Sequence, residues 1–222
     1  MSLVVVGVNH RTGPLAVLER VALSGERLPK ALATVRSRDN VREAVILSTC
    51  NRTEIYVVAE RFHGAMHDLC DFLCAFSDLA VDDLLPHLYA EYDGSAVAHL
   101  FSVACGLDSD VLGEHEILGQ VRRAWEFARD EQATGAGLNL LFRHAVEVGK
   151  RARTETSISR ATASVSHAAV EMAVEHLGGL DGRRVLVVGA GEMGEGMAVA
   201  LSGAGVHEVA VTNRTATRAA AL

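Results

Sequence analysis

The feature that most restricts how this chain can fold is the aliphatic run Val185-Leu186-Val187-Val188, which passes directly into Gly189-Ala190-Gly191-Glu192-Met193-Gly194. A buried strand, a glycine-rich turn and a helix in that order open a parallel strand–helix–strand unit. Gly189 allows the tight turn, Gly191 lets backbone approach a pyrophosphate, and Gly194 lets helix and strand pack closely. The helix N-terminus then offers unpaired N–H groups and partial positive charge to phosphate oxygens. A second strand, Glu208–Thr212, leads into Asn213-Arg214-Thr215. No carboxylate stands there to bond a ribose 2′-hydroxyl, whereas Arg214 beside the hydroxyls of Thr212 and Thr215 suits a 2′-phosphate. The reading is therefore NADP(H) rather than NAD, against the plainer alternatives of an ordinary strand–helix turn and a solvated arginine.

The residues before this unit have a different texture. Leu3–Val8, Val41–Ser48 and Glu54–Ala59 read as strands. Helical spacing follows Pro14 and recurs over Glu26–Arg36, His63–Phe76, Ser95–Ala104, Glu116–Gln132, Leu138–Thr154 and Ser166–Leu177. A Ser/Thr-rich stretch, Thr156–Ser166, marks a boundary between an α+β domain (1–155) and the first part of a Rossmann-like, doubly wound α/β domain (156–222). Such a sheet needs more strands than the chain provides, so the nucleotide domain is expected to be partial and its NADPH binding weak.

The formal net charge of -7 and the 5% aromatic content do not suit a domain built mainly to grip nucleic acid. Contact with RNA would need a local basic patch, for which Arg143, Lys150, Arg151 and Arg153 are candidates, although they could equally be a solvated helix face. The N-terminal residues have no secretory pattern and no apolar run is long enough to span a bilayer. Four cysteines without disulfide spacing point to a reducing, cytoplasmic setting.

Cys70, Cys74 and Cys105 fall on apolar helices, where cysteine is usually an inert small hydrophobe. His63, His67, Cys70 and Cys74 share one helical face, but one straight helix cannot wrap four ligands tetrahedrally around zinc, and no metal is expected. Cys50 is different. It lies on the polar stretch Thr49-Cys50-Asn51-Arg52-Thr53 between two strands, with Arg52 placed to lower its pKa. A thiolate that captures an acyl group as a thioester, followed by hydride delivery, converts an activated acid to an aldehyde.

Several blocks together resemble the glutamyl-tRNA reductases of tetrapyrrole biosynthesis: Gly7-Val8-Asn9-His10-Arg11-Thr12-Gly13-Pro14, Leu47–Tyr56, Gly106-Leu107-Asp108-Ser109 with Gly113-Glu114 and Ile117–Gln120, Gly149–Thr156, and the glycine loop. The resemblance implies that Cys50 attacks the ester of glutamyl-tRNA(Glu) and that NADPH then releases glutamate-1-semialdehyde. It implies a glutamate pocket lined by Thr49, Asn51, Arg52, Ser109, Glu114, His115, Glu116 and Gln120, with His99 as a proton handler, although a histidine on an apolar helix is as often a satisfied core residue. Arg52 would fork onto the γ-carboxylate, Glu114 or Glu116 would meet the α-ammonium, and amides beside Cys50 would hold the oxyanion. Cofactor contacts would come from Gly189, Ala190, Gly191, Glu192, Met193, Gly194, Asn213, Arg214 and Thr215. The resemblance also implies a homodimer formed through a helical domain absent from these residues, and an aminomutase partner for the next step. His115-Glu116 departs from the Pro-Gln or Gln-Gln expected there and changes the pocket's charge. Two other readings remain: an NADP-dependent acylating reductase with a smaller substrate, and a non-catalytic homologue that binds tRNA or a partner.

Overall fold

The computed structural model describes residues 2–158 and 165–222, so the middle of the Ser/Thr-rich stretch lies outside the described residues. The chain divides into two compact units, Met1–Ser159 and Arg160–Leu222.

The first unit begins with β1 (Ser2–Asn9), α1 (Leu15–Val21), α2 (Arg27–Arg36), β2 (Val41–Ser48), β3 (Arg52–Ala59) and α3 (Phe62–Ser77). After a short α4 (Val81–Leu84) and a 3-10 turn, β4 (Tyr89–Tyr92) leads into α5 (Asp93–Cys105), α6 (Glu116–Asp130) and α7 (Ala136–Glu155). The sheet order is β2-β3-β1-β4, and every pairing is antiparallel. Strand β3 thus lies between β1 and β2, the split βαβ arrangement. The β-branched run of β1 is buried on both faces, with Val4, Val5, Val6 and Val8 at 0% exposure, because α3 and α5 both pack on it. Tyr56 of β3 meets the edge of Phe142 of α7 with ring centroids 5.4 Å apart, which ties the helices to the sheet.

The structure places β4 where helical periodicity gave no strand; Tyr89-Ala90-Glu91-Tyr92 is too short for an alternating pattern to stand out, and its pairing with β1 makes it a strand. Arg52 and Thr53 also move from the expected polar stretch into β3, where both are buried. They become strand residues because each pairs with β1, Arg52 opposite Asn9 and Thr53 opposite Val8.

The second unit comprises α8 (Val165–Leu177), β5 (Arg184–Val188), α9 (Glu192–Gly203), β6 (Glu208–Thr212) and α10 (Ala216–Ala220). Strands β5 and β6 pair in parallel in register, Val185 opposite Val209 and Val188 opposite Thr212. Its core is small: Val170, Leu180, Val187, Ala200 and Leu201 are buried, while Leu186 and Val188 stay mostly exposed.

Candidate active site

The hairpin between β2 and β3 turns through Thr49, Cys50 and Asn51. The Thr49 amide donates to the Arg52 carbonyl (2.8 Å), and the Asn51 amide donates to Thr49 Oγ1 (3.1 Å). From the neighbouring β1 end, the His10 amide donates to the Asn51 carbonyl (2.9 Å), so the turn is pinned on both sides. Cys50 is exposed at its tip. Partial burial, the largest effect, pushes its thiol above the ordinary range; its own backbone amide pulls the other way, and the carboxylates of Glu114, Glu116 and Asp110 push it up further.

Directly behind the turn lies a buried polar network. Glu54, at 0% exposure, accepts from Arg52 Nη1 (2.6 Å), Tyr56 Oη (2.5 Å), Tyr89 Oη (2.5 Å) and His99 Nε2 (3.0 Å). Burial by itself would raise the Glu54 carboxyl, but the bonds from His99, Arg52 and Tyr56 outweigh it and hold the group at about 2. Arg52 also reaches the loop after α5, with Nη1 on Asp108 Oδ2 (3.0 Å) and Nη2 on the Asp108 carbonyl (2.5 Å). Arg11 and Asn9 grip the same Asp108 carboxylate at 2.7 Å and 3.5 Å. The loop itself closes tightly. Gly106 has φ +77°, a Cβ on it would sit 2.9 Å from Gly113 Cα, and the Gly113 amide donates to the Gly106 carbonyl (2.8 Å).

These contacts correct three expectations. Arg52 is not a free cation beside the thiol: its side chain is 2% exposed and engages Glu54 and Asp108, so it does not lower the Cys50 pKa and has only part of its guanidinium left for a ligand carboxylate. The Asn51 amide is already occupied and cannot serve as an oxyanion donor. Arg153 turns inward to the carbonyls of Ala104 (2.9 Å), Gly149 (3.0 Å) and Glu114 (2.9 Å), and Arg151 pairs with Glu155, which leaves Arg143 and Lys150 as the more open members of the supposed basic patch.

The remaining proposed pocket residues divide. Thr49, Asn51 and Ser109 are half-buried around the turn and the Asp108 loop, and Gln120 is half-buried on α6. The Glu114 carboxylate closes the first turn of α6, accepting from the amides of Glu116 (3.1 Å) and Ile117 (2.9 Å), while His115 and Glu116 are exposed. His67 pairs with Asp71 (3.4 Å) rather than with the cysteines of its helix. Among the described residues the only grouping of metal-ligand types is Glu54, His99 and Asp108, and the Arg52 guanidinium already lies between the two carboxylates as their cation. Reading the sequence for separate motifs missed Asn9, Arg11, Glu54, Tyr89 and Asp108. Asn9, Arg11, Glu54 and Asp108 lay within blocks that carried the family resemblance but had no local chemical pattern of their own, and Tyr89 lay in a strand too short to read.

In the second unit the glycine loop makes a tight strand-to-helix turn. Gly189 has φ +113° and donates to the Thr212 carbonyl (2.8 Å), and a Cβ on Gly194 would lie 2.2 Å from the Gly189 carbonyl oxygen. Open space surrounds the Cβ position of Gly191 at the α9 N-terminus, between Ala190 and the start of α9 at Glu192-Met193. Asn213 Oδ1 accepts from the Ala190 amide (3.4 Å), and Arg214 and Thr215 are exposed.

A family model for the glutamyl-tRNA(Glu) reductase N-terminal domain matches residues 6–156, the greater part of the chain. The chain belongs to the glutamyl-tRNA reductase family. A second model, of shikimate/quinate 5-dehydrogenase, matches residues 171–222, in keeping with the opening of a Rossmann domain. Glutamyl-tRNA reductase from Paenibacillus macerans is 46% identical over 219 residues, covering 99% of this chain and 50% of the relative. The enzyme of that name from Salinispora arenicola is 47% identical over 223 residues, 100% of this chain and 49% of the relative. The solved structure of glutamyl-tRNA reductase from Methanopyrus kandleri superposes with a TM-score of 0.64 at 38% identity, over 99% of this chain and 51% of that one. The chain thus spans about half the length of the curated relatives it matches. Among the described residues no helix is long and apolar enough to cross a membrane.

Proposed function

We propose that this family member carries the catalytic domain and the first nucleotide-binding elements of a cytoplasmic, NADPH-dependent glutamyl-tRNA reductase, which forms glutamate-1-semialdehyde for porphyrin biosynthesis through a thioester on Cys50. The observation that supports it is an exposed thiol at a hairpin tip whose base is locked by Arg52, Glu54 and Asp108.

Cys50 Sγ attacks the ester carbonyl carbon, the bond to the terminal ribose oxygen breaks, and that oxygen leaves with the thiol proton. With the Asn51 amide occupied, the turn's remaining donor for the oxyanion is the Cys50 amide, which in the free chain faces its own sulfur. Asp110, Glu114 and Glu116 surround the thiol with negative charge, which suits the α-ammonium of the aminoacyl group. Thr49, Asn51, Ser109, His115 and Gln120 line the remaining approach, and Arg52 acts by holding the Asp108 loop. Gly189–Gly194 would seat the pyrophosphate, and Arg214 with Thr215 the 2′-phosphate, since the open loop and the exposed guanidinium fit both groups. NADPH, when bound, supplies the hydride that releases the aldehyde and restores the thiol. A homodimer of the full-length protein and hand-off to an aminomutase belong to the same reading.

Capture of the acyl group needs no cofactor. Incubation with radiolabelled glutamyl-tRNA(Glu) is expected to leave label on the peptide containing Cys50, and none after Cys50→Ser. Label on another residue, or undiminished aldehyde formation by the serine variant of a full-length protein, would overturn the proposal.

A further inference from the structure

Glu54 is the one fully buried carboxylate among the described residues, and four side chains converge on it. An ionised carboxylate has only lone pairs to offer, so each of the four must donate. For Arg52 and the two tyrosines this is automatic. For His99 it is a choice between tautomers: Nε2, 3.0 Å from Glu54 Oε1, has to carry the proton, and in the neutral ring Nδ1 then holds the lone pair. No described group hydrogen-bonds that Nδ1, and the His99 side chain keeps 15% of its surface exposed.

We propose that Glu54 is a positioning residue that fixes His99 with its proton on Nε2, so that Nδ1 faces outward as a proton acceptor, while the same carboxylate aims Arg52 at Asp108. The role resembles that of the carboxylate in a hydrolase triad, which sets the tautomer and orientation of a histidine without reacting itself. Charge balance needs only two cations for the two carboxylates, which Arg52 and Arg11 supply, and the remaining lone pairs of Glu54 could be met by any donors. The further convergence of Tyr56, Tyr89 and His99 gives the site a defined geometry that charge balance alone does not require. Tyr89 also packs edge-on against the His99 ring at 5.3 Å between centroids, which limits rotation of the imidazole. The use of Nδ1 in chemistry rests on the thioester reading; the tautomer does not.

The test has two independent arms. In the first, the 222-residue chain is labelled with 15N-histidine, and the His99 signals are assigned by their loss in His99→Gln. The wild-type ring is expected to show a pyrrole-type Nε2 and a pyridine-type Nδ1, and Glu54→Gln to shift both toward the averaged values of free imidazole. A wild-type ring protonated on Nδ1, or already averaged, overturns the proposal even if the variant fails to fold. In the second arm, Glu54→Gln in a full-length family enzyme is expected to lower kcat about 100-fold with little change in KM for glutamyl-tRNA. A rise in KM at unchanged kcat would make Glu54 a binding support instead and sink the positioning role. If Cys50→Ser stays active while the tautomer is as stated, the thioester reading fails and the assignment of Glu54 to His99 stands.

Discussion

At the residue scale, the thiol of Cys50 is exposed, yet partial burial and the carboxylates of Glu114, Glu116 and Asp110 push its pKa above the ordinary range. Alkylation by iodoacetamide follows the thiolate, so its rate at pH 7 is expected to fall below that of a free thiol and to climb about tenfold per pH unit through pH 8. Removing one exposed charge, Glu116→Gln, is expected to quicken alkylation about two- to threefold at low salt, an effect that 1 M salt abolishes. A rate that does not depend on pH between 7 and 8 would show that the thiol is already ionised. Glu54 behaves in the opposite direction. Its carboxyl sits at about 2 against an ordinary 4.5, so the stability it lends is complete above the ordinary value and is lost as pH falls through about 2. Acid unfolding of the first unit is expected to be shallower over that window in Glu54→Gln. Truncation by Glu54→Ala leaves the Arg52 charge buried with Asp108 as its remaining partner, and is expected to cost about 3–5 kcal/mol in urea unfolding.

At the scale of elements, α7 is tied into the first unit toward both of its ends. Its N-terminus is capped by Glu43 of β2, which accepts from the amides of Gly137 (3.1 Å) and Leu138 (2.7 Å). Toward its other end Gly149 allows a close crossing with α5: a Cβ there would lie 2.7 Å from the Ala104 carbonyl and 2.7 Å from Leu118 Cδ1. Gly149→Ala is therefore expected to destabilise the first unit by about 1–3 kcal/mol despite alanine's better helix propensity, as read by thermal unfolding. Because Arg153 of the same helix bonds the Ala104 and Glu114 carbonyls, that shift would also loosen the segment bearing Ser109 and Glu114. An unchanged midpoint would mean that the helices separate without cost.

For the whole molecule, the two units differ in how much they bury. The first has a continuous core from Val4 to Val146, and the second buries Val170, Leu180, Val187, Ala200 and Leu201. Stability follows buried apolar area, so the second unit is expected to unfold at lower urea. The single tryptophan, Trp125, lies in α6 with its indole N–H on Asn139 (2.8 Å) and reports only on the first unit. Helical circular dichroism should therefore begin to fall before tryptophan fluorescence changes. Coincident transitions would show that the units unfold as one.

The sequence by itself determined the elements with strong local signals. The apolar runs of β1, β2 and β5, the long amphipathic helices and the glycine turn each carry their pattern within a few residues, and period and backbone chemistry are local properties. It also singled out Cys50, because a lone thiol in a polar turn stands out without knowledge of its neighbours. Only the tertiary structure decided what surrounds that thiol. Arg52 lies two residues from Cys50 in sequence, yet Cys50 sits in the turn while Arg52 begins β3, whose alternation puts it on the same face as Glu54 and carries its guanidinium inward to Glu54 and to Asp108, fifty-six residues away. Whether a charge serves as a free cation or as a buried clamp depends on which partners the fold brings to it: Arg52 meets Glu54 and Asp108 directly, and Asn9, Tyr89 and His99, from separate segments of the chain, hold those two carboxylates.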